Sequence, residues 1–346
     1  MRIALMTCGA ALLCSTAQAE VPRVVTDITP VHSLVATVMK GVGAPTLLVE
    51  PGASPHSYAL RPSKAAALDR ADAVFWMGEG LAPWLEGPLE TLGSGAVAVE
   101  LMEVPGTTVL DFREGATFAK HEGHDDHDDD HDDHKDEHDG HEEDEHGHDE
   151  HDHDAHEDDD GHDDHDDHAE DSHGHGHEGV DPHGWLDPQN GRVWLGAIAA
   201  ELSKLDPENA ATYAANAAQG QAELEALEAE LKASLTPFHE TKFIVFHDAY
   251  HYFENRFDLE ASGAISLSDA SDPGAARIAE IRDTVAALGV TCVFSEPQFN
   301  PGLVASVAAG GTHVAQLDPL GSTLQPGADL YADLLRGMTT AMLSCQ

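Results

Sequence analysis

The sequence predicts an α/β protein of two lobes, each a parallel sheet covered by helices. Two observations carry that expectation. Short apolar, β-branched stretches recur with helical segments between them, and they fall into two groups of four on either side of one long alanine, glutamate and leucine-rich segment. Near-continuous apolar strands that alternate with helices belong to parallel sheets covered on both faces.

In the first half the strand candidates are 23–28, 46–49, 73–77 and 96–101. In the second half they are 243–246, 263–266, 291–295 and 313–317. Between the groups, Asp206 and Pro207 open a helix in which Tyr213, Ala217, Leu224, Leu227, Leu231 and Leu235 recur at helical spacing. Those residues describe one apolar stripe. Such a helix spans about 40 Å at 1.5 Å per residue. It serves either as a stiff rod between lobes or as a surface helix within one.

The expected organisation is a leader at 1–19, a first lobe at 20–205, a linker helix at 206–237 and a second lobe at 238–346. Arg2, the apolar run 3–13 and the small-x-small pattern of Ala17, Gln18 and Ala19 read as an export signal cleaved before Glu20. The apolar run is too short to anchor the chain, and no other segment suits a bilayer span, so no stable membrane insertion is expected. Removing the leader takes Cys8 and Cys14 with it. Cys292 and Cys345 remain, and two cysteines in an exported chain are expected to pair, with a thiolate metal site as the alternative.

The first lobe is interrupted at 121–178, where eighteen histidines alternate with thirty aspartates and glutamates and no large apolar side chain occurs. That composition cannot offset the entropy of ordering, so the segment is expected to be a disordered loop. Imidazole and carboxylate at spacings of two to four residues make many weak, overlapping sites for divalent transition metals, zinc, copper or nickel rather than magnesium or calcium. The whole chain carries a formal charge of -47. A surface this negative excludes nucleic acid and anionic lipid as partners and concentrates cations.

Seven histidines lie outside the tract. His56 follows the strand at 46–49, His183 stands just beyond the tract, and His247 directly follows the strand at 243–246. Ligands of open α/β sheets bind beyond the carboxyl ends of strands, where distant segments converge. His251, four residues after His247, is separated from it by a strand-to-helix change of direction. His32, His239 and His313 read as surface or packing histidines. Glu296 and Asp248 are candidates to orient ligands from behind, because a metal-bound imidazole usually donates its other nitrogen to a carboxylate or carbonyl. Trp185 and Tyr58 are candidates to shape the cleft.

Gly-Ala-Ser-x-His-x-Tyr-x-Leu-Arg-Pro-Ser at 52–63, Pro-His-x-Trp-Leu-x-Pro at 182–188, Phe-His-Asp-Ala-Tyr at 246–250 and Ser-Glu-Pro-Gln-Phe at 295–299 resemble the ZnuA-type zinc-binding solute-binding proteins of bacterial ABC importers. The resemblance runs in order through the mature chain. It implies two α/β lobes joined by a rigid helix with metal in the cleft between them, and it implies that His56, His183 and His247 are ligands. Asp318 matches a carboxylate that ligates in several relatives, with a water-bridged role or a turn cap before Pro319 as the alternatives. A glutamate that completes the shell elsewhere in the family stands where this chain has Pro55.

Three neutral imidazoles with a carboxylate or water suit tetrahedral Zn²⁺. Manganese prefers more oxygen, and relatives that carry it tend to have a carboxylate at the position of His247. The expected function is therefore periplasmic zinc capture by a monomer that delivers the ion to an inner-membrane ABC permease. The alternatives are a receptor for manganese or another divalent metal and a periplasmic zinc buffer. A zinc hydrolase is disfavoured by the lack of His-Glu-x-x-His or any nucleophile motif.

Overall fold

A computed structural model describes residues 20–113, 118, 179–266, 274–299, 301–308 and 311–346. The leader at 1–19 and the tract at 121–178 lie outside the described residues.

The first sheet is built from β1 (Val24–Thr26), β2 (Thr46–Leu47), β3 (Ala73–Trp76) and β4 (Val97–Glu100), all parallel, in the order β2-β1-β3-β4. The second is built from β5 (Phe243–His247), β6 (Ala264–Ser266), β7 (Cys292–Ser295) and β8 (His313–Gln316), again parallel, in the order β6-β5-β7-β8. The two sheets share one winding. All eight strands fall within or one residue beyond the stretches expected from the sequence. The expected burial on both faces holds for β1, β3 and β5 but not for β4 and β8, which are largely exposed. Both are edge strands, as is the partly exposed β2, whereas β6 at the remaining edge stays buried.

Helices connect the strands. The first sheet carries α1 (Thr29–Val38), α2 (Pro62–Leu68) and α3 (Pro83–Thr91). Proline opens α2, α3 and the next helix, α4 (Pro188–Leu205), where a missing N–H costs nothing. Asp187 caps α4, its carboxylate accepting the Gln189 amide at 2.8 Å. Next comes α5 (Ala210–Leu235), whose buried residues are the expected stripe with Gly220 added. It packs along α4, and against α1. The second sheet carries α6 (His251–Phe257), α7 (Ala275–Leu288), α8 (Pro301–Val307) and the final α9 (Leu330–Leu343). Gly289 ends α7 at φ 65°, a left-handed conformation that a β-carbon would strain.

The core is one continuous apolar body running from Val24 through α4 and α5 to Met342, with a smaller cluster under α2 and α3 and another under α7 and α8. Polar contacts join the halves as well. The Tyr331 amide of α9 donates to Ser33 Oγ of α1 at 3.0 Å, and Tyr331 Oη donates to the Trp185 carbonyl at 2.6 Å. The Thr29 hydroxyl donates to the Leu320 carbonyl. Cys292 and Cys345 form the expected disulfide, with Cα atoms 5.9 Å apart, tying β7 to the end of α9.

Candidate metal centre

His247 is the last residue of β5, at the carboxyl end of a central strand. His183 precedes a single 3₁₀ turn, Gly184–Leu186, that leads into α4. His56 stands in the loop between β2 and α2. The fold brings these three distant positions together. The His183 ring centroid lies 5.5 Å from that of His56 and 5.3 Å from that of His247, with planes inclined at 52° and 63°. His183 and His247 are buried, and His56 is half-buried.

The rings line a small pocket with Pro55, Trp185, Gln298, Pro319 and Leu320, and its volume of about 10 Å³ admits one water-sized body. A larger cavity of about 620 Å³ lies among α1, α5 and α9 and is lined by none of the histidines. The small pocket has the chemistry. Among the described residues, no three His, Cys, Asp or Glu side chains already present their donor atoms as a coordination shell. The rings are neighbours.

Two buried carboxylates hold the rings from behind. His183 Nδ1 donates to Asp181 Oδ1 at 2.7 Å, and the same oxygen accepts the His183 amide at 2.9 Å. His247 Nδ1 donates to Glu296 Oε1 at 2.6 Å, while Glu296 Oε2 accepts from Gln298 at 2.9 Å. Protonation at Nδ1 leaves Nε2 as the basic nitrogen of each ring. Burial pushes the Asp181 carboxyl up to about 7, opposed by the His183 amide and by the charges of His251, Arg113 and His247. Burial also holds the Tyr250 hydroxyl well above its ordinary range, helped by Glu296 and Asp318 nearby.

Asp318 follows β8 and is half-exposed. Its carboxylate accepts from the Leu320 amide at 3.3 Å and from Ser322 Oγ at 2.8 Å, the pattern of a turn cap. Its neighbours Pro319 and Leu320 line the histidine pocket, while Asp318 itself lines a separate hollow with Gln316 and Thr323.

Glu296 stands where the orienting role was expected, and Asp248 does not. Asp248 is engaged by Arg113, whose Nε lies 3.0 Å from Oδ1, so it orients no histidine. Asp181 is the orienting group that the sequence reading missed. Its signal was local, a carboxylate two residues before His183. Trp185 lines the pocket with its ring 5.2 Å from His183, but Tyr58 packs on Trp84 instead. His251 opens α6, His239 Nε2 donates to the Phe257 carbonyl at 3.2 Å, and His313 is exposed. None of the three lines the pocket.

Two equivalently wound α/β lobes with a small imidazole-lined pocket at the carboxyl end of a strand define a solute-binding protein. The chain belongs to the ZnuA family, zinc-uptake complex component A, periplasmic, which matches residues 24–345. It is similar to the high-affinity zinc uptake system protein ZnuA of Brucella abortus, 46% identical over 339 residues covering 98% of this chain and 94% of that one. It is also similar to the protein of that description from Paracoccus denitrificans, 47% identical over 331 residues covering 95% and 93%. The fold matches a crystal structure of ZnuA with a TM-score of 0.66 at 23% identity, covering 93% of this chain and all of that one.

Proposed function

We propose that this chain captures Zn²⁺ in the periplasm and delivers it to an inner-membrane ABC permease. Like its relatives in zinc uptake, it is a binding protein and not an enzyme. His56, His183 and His247 are the proposed ligands. The observation that supports this reading is the adjacency of the three rings, with the Nδ1 atoms of His183 and His247 bonded to buried carboxylates, which leaves Nε2 as the basic nitrogen of each. Three imidazoles favour zinc over manganese.

Asp318 is the proposed source of the fourth donor, either by releasing Ser322 and turning to the ion or by holding a water against it. Asp318→Asn separates these, since direct ligation predicts a large affinity loss and a water bridge a small one. The proposed organisation is a lobe at 20–205, a linker at 206–237 and a lobe at 238–346, working as a monomer. No described helix is long and apolar enough to cross a membrane. The tract at 121–178 is proposed as an auxiliary collector. Unchanged zinc capture and transfer under scarcity without it would remove that role.

The test is calorimetric titration of zinc, against a competing chelator, into mature protein lacking 121–178, beside the same protein with His56, His183 and His247 changed to alanine. One tight site abolished by the triple change is expected. Weak binding in both would move the function into the tract and favour a buffer.

A further inference from the structure

The two chain segments that flank the tract pair with each other. Asp111 and Val180 form an antiparallel bridge, the Asp181 amide donates to the Leu110 carbonyl at 2.9 Å, and the Phe112 amide donates to the Gly179 carbonyl at 3.1 Å. One arm of this stem runs on to His183, two residues past Asp181. The other arm carries Arg113, whose side chain enters the second lobe.

There the guanidinium meets two buried carboxylates. Nε donates to Asp248 Oδ1 and Oδ2 at 3.0 and 3.2 Å, and Nη2 also reaches Oδ1. Nη1 and Nη2 donate to Glu254 at 2.7 and 3.0 Å. Asp248 immediately follows His247, and Glu254 lies in α6 and accepts the Ala261 amide at 2.8 Å. The Phe118 ring covers the guanidinium at 3.8 Å. A second tie runs in parallel, with Tyr252 Oη accepting the Leu110 amide at 2.9 Å and donating to the Asp181 carbonyl at 2.8 Å.

We propose that Arg113 is a positioning residue for metal capture, clamping the stem that carries His183 onto the turn that carries His247 and so fixing the separation of the two rings. The inference rests on the metal reading above. Arginine suits this task because its planar fork spans two carboxylates at once, whereas a lysine ammonium is a point charge. Asp248 and Glu254 are buried beside no other arginine or lysine that bonds them among the described residues, so the clamp is their charge partner. A looser clamp lets the rings part and shortens the residence of an ion held between them.

The test loads full-length mature protein with one equivalent of zinc and follows its release to a chelator by stopped flow, then repeats the loading with Co²⁺ and records its visible absorption. Arg113→Lys keeps the charge and loses the fork. Asp248→Asn neutralises one arm, leaving a single carbonyl acceptor, and keeps Glu254. Release about tenfold faster in Arg113→Lys, a smaller rise in Asp248→Asn and a weakened, shifted cobalt band in both are expected. Arg336→Gln, at an exposed ion pair with Glu230, serves as the unaffected control. Unchanged release and an unchanged cobalt band alongside a lower melting temperature would reduce the clamp to a structural ion pair and overturn the inference. Failure of the parent protein to take up either ion would instead overturn the metal reading.

Discussion

Replacing Glu296 by glutamine tests whether the carboxylates behind the imidazoles tune metal binding. The 2.6 Å bond from His247 Nδ1 ends on a fully buried oxygen. A hydrogen bond to a charged acceptor contributes roughly 1.5–3 kcal/mol and a neutral one about 1. Glutamine can still accept through its carbonyl oxygen, so the substitution removes about 1–2 kcal/mol, equivalent to a roughly 5–30-fold weaker zinc Kd. That range overlaps the ~10–100-fold typical of groups that orient metal ligands. Glu296→Ala additionally strands the Gln298 amide and the His247 N–H, and its loss is expected to be larger. Competition titration with a chelator gives the affinities, and thermal melts of the metal-free proteins report folding. Glutamine preserves shape and removes a buried charge, so its metal-free melt is expected to stay close to that of the parent. Zinc affinity within twofold of the parent in both folded variants would refute the reasoning.

Cys345→Ser opens a disulfide across a sequence separation of 53. A loss of about 2–4 kcal/mol, seen as a melting temperature several degrees lower without loss of zinc affinity, is expected from the released chain entropy. Gly191→Ala places a β-carbon 2.9 Å from Tyr331 Cε1 and Oη, and because Tyr331 is fully buried the clash is expected to cost about 1–3 kcal/mol in denaturant melts. Burial pushes Asp27 up to about 7 against the pull of the Ile28 and Met77 amides. The folded chain keeps a proton there that the unfolded chain releases above an ordinary pKa of 3.8, so this group's contribution to stability declines as pH rises toward 7 and is flat beyond. Melts from pH 4.5 to 8 should therefore show a shallower decline in Asp27→Asn than in the parent, and parallel profiles would contradict the buried-acid assignment.

The strands were legible because each is a compact apolar run, and two groups of four such runs already imply two parallel sheets. Edge position was not legible, since Val97 and Val314 look as apolar as their buried counterparts in central strands. The three histidines stood out from the sequence by their placement after strands and turns, and the fold sets their rings side by side. Asp248 misled because it adjoins His247 in the chain, yet its partner is Arg113, 135 positions away. Arg113 carried no local signal at all. An arginine at the edge of an acidic tract reads as a solvated charge until the fold places two carboxylates around it. Asp318 illustrates the opposite case, where both of its readings, ligand and turn cap, are written in the same Asp-Pro pair.

A further tie of α6 to the first lobe runs through Arg256 and has a thermodynamic consequence. Arg256 grips Asp187, the cap of α4, through two bonds of 2.7 and 2.8 Å, close to the rungs that Tyr252 and Glu254 make. With the continuous core beneath them, these rungs rivet the two halves together. A swing of one half against the other would have to break these charge-assisted bonds. Under the proposed function, occupancy is signalled at short range, by the turn of a ring or the shift of a loop at the pocket mouth. A permease would, under the same proposal, read that small relief rather than a swing of one lobe against the other.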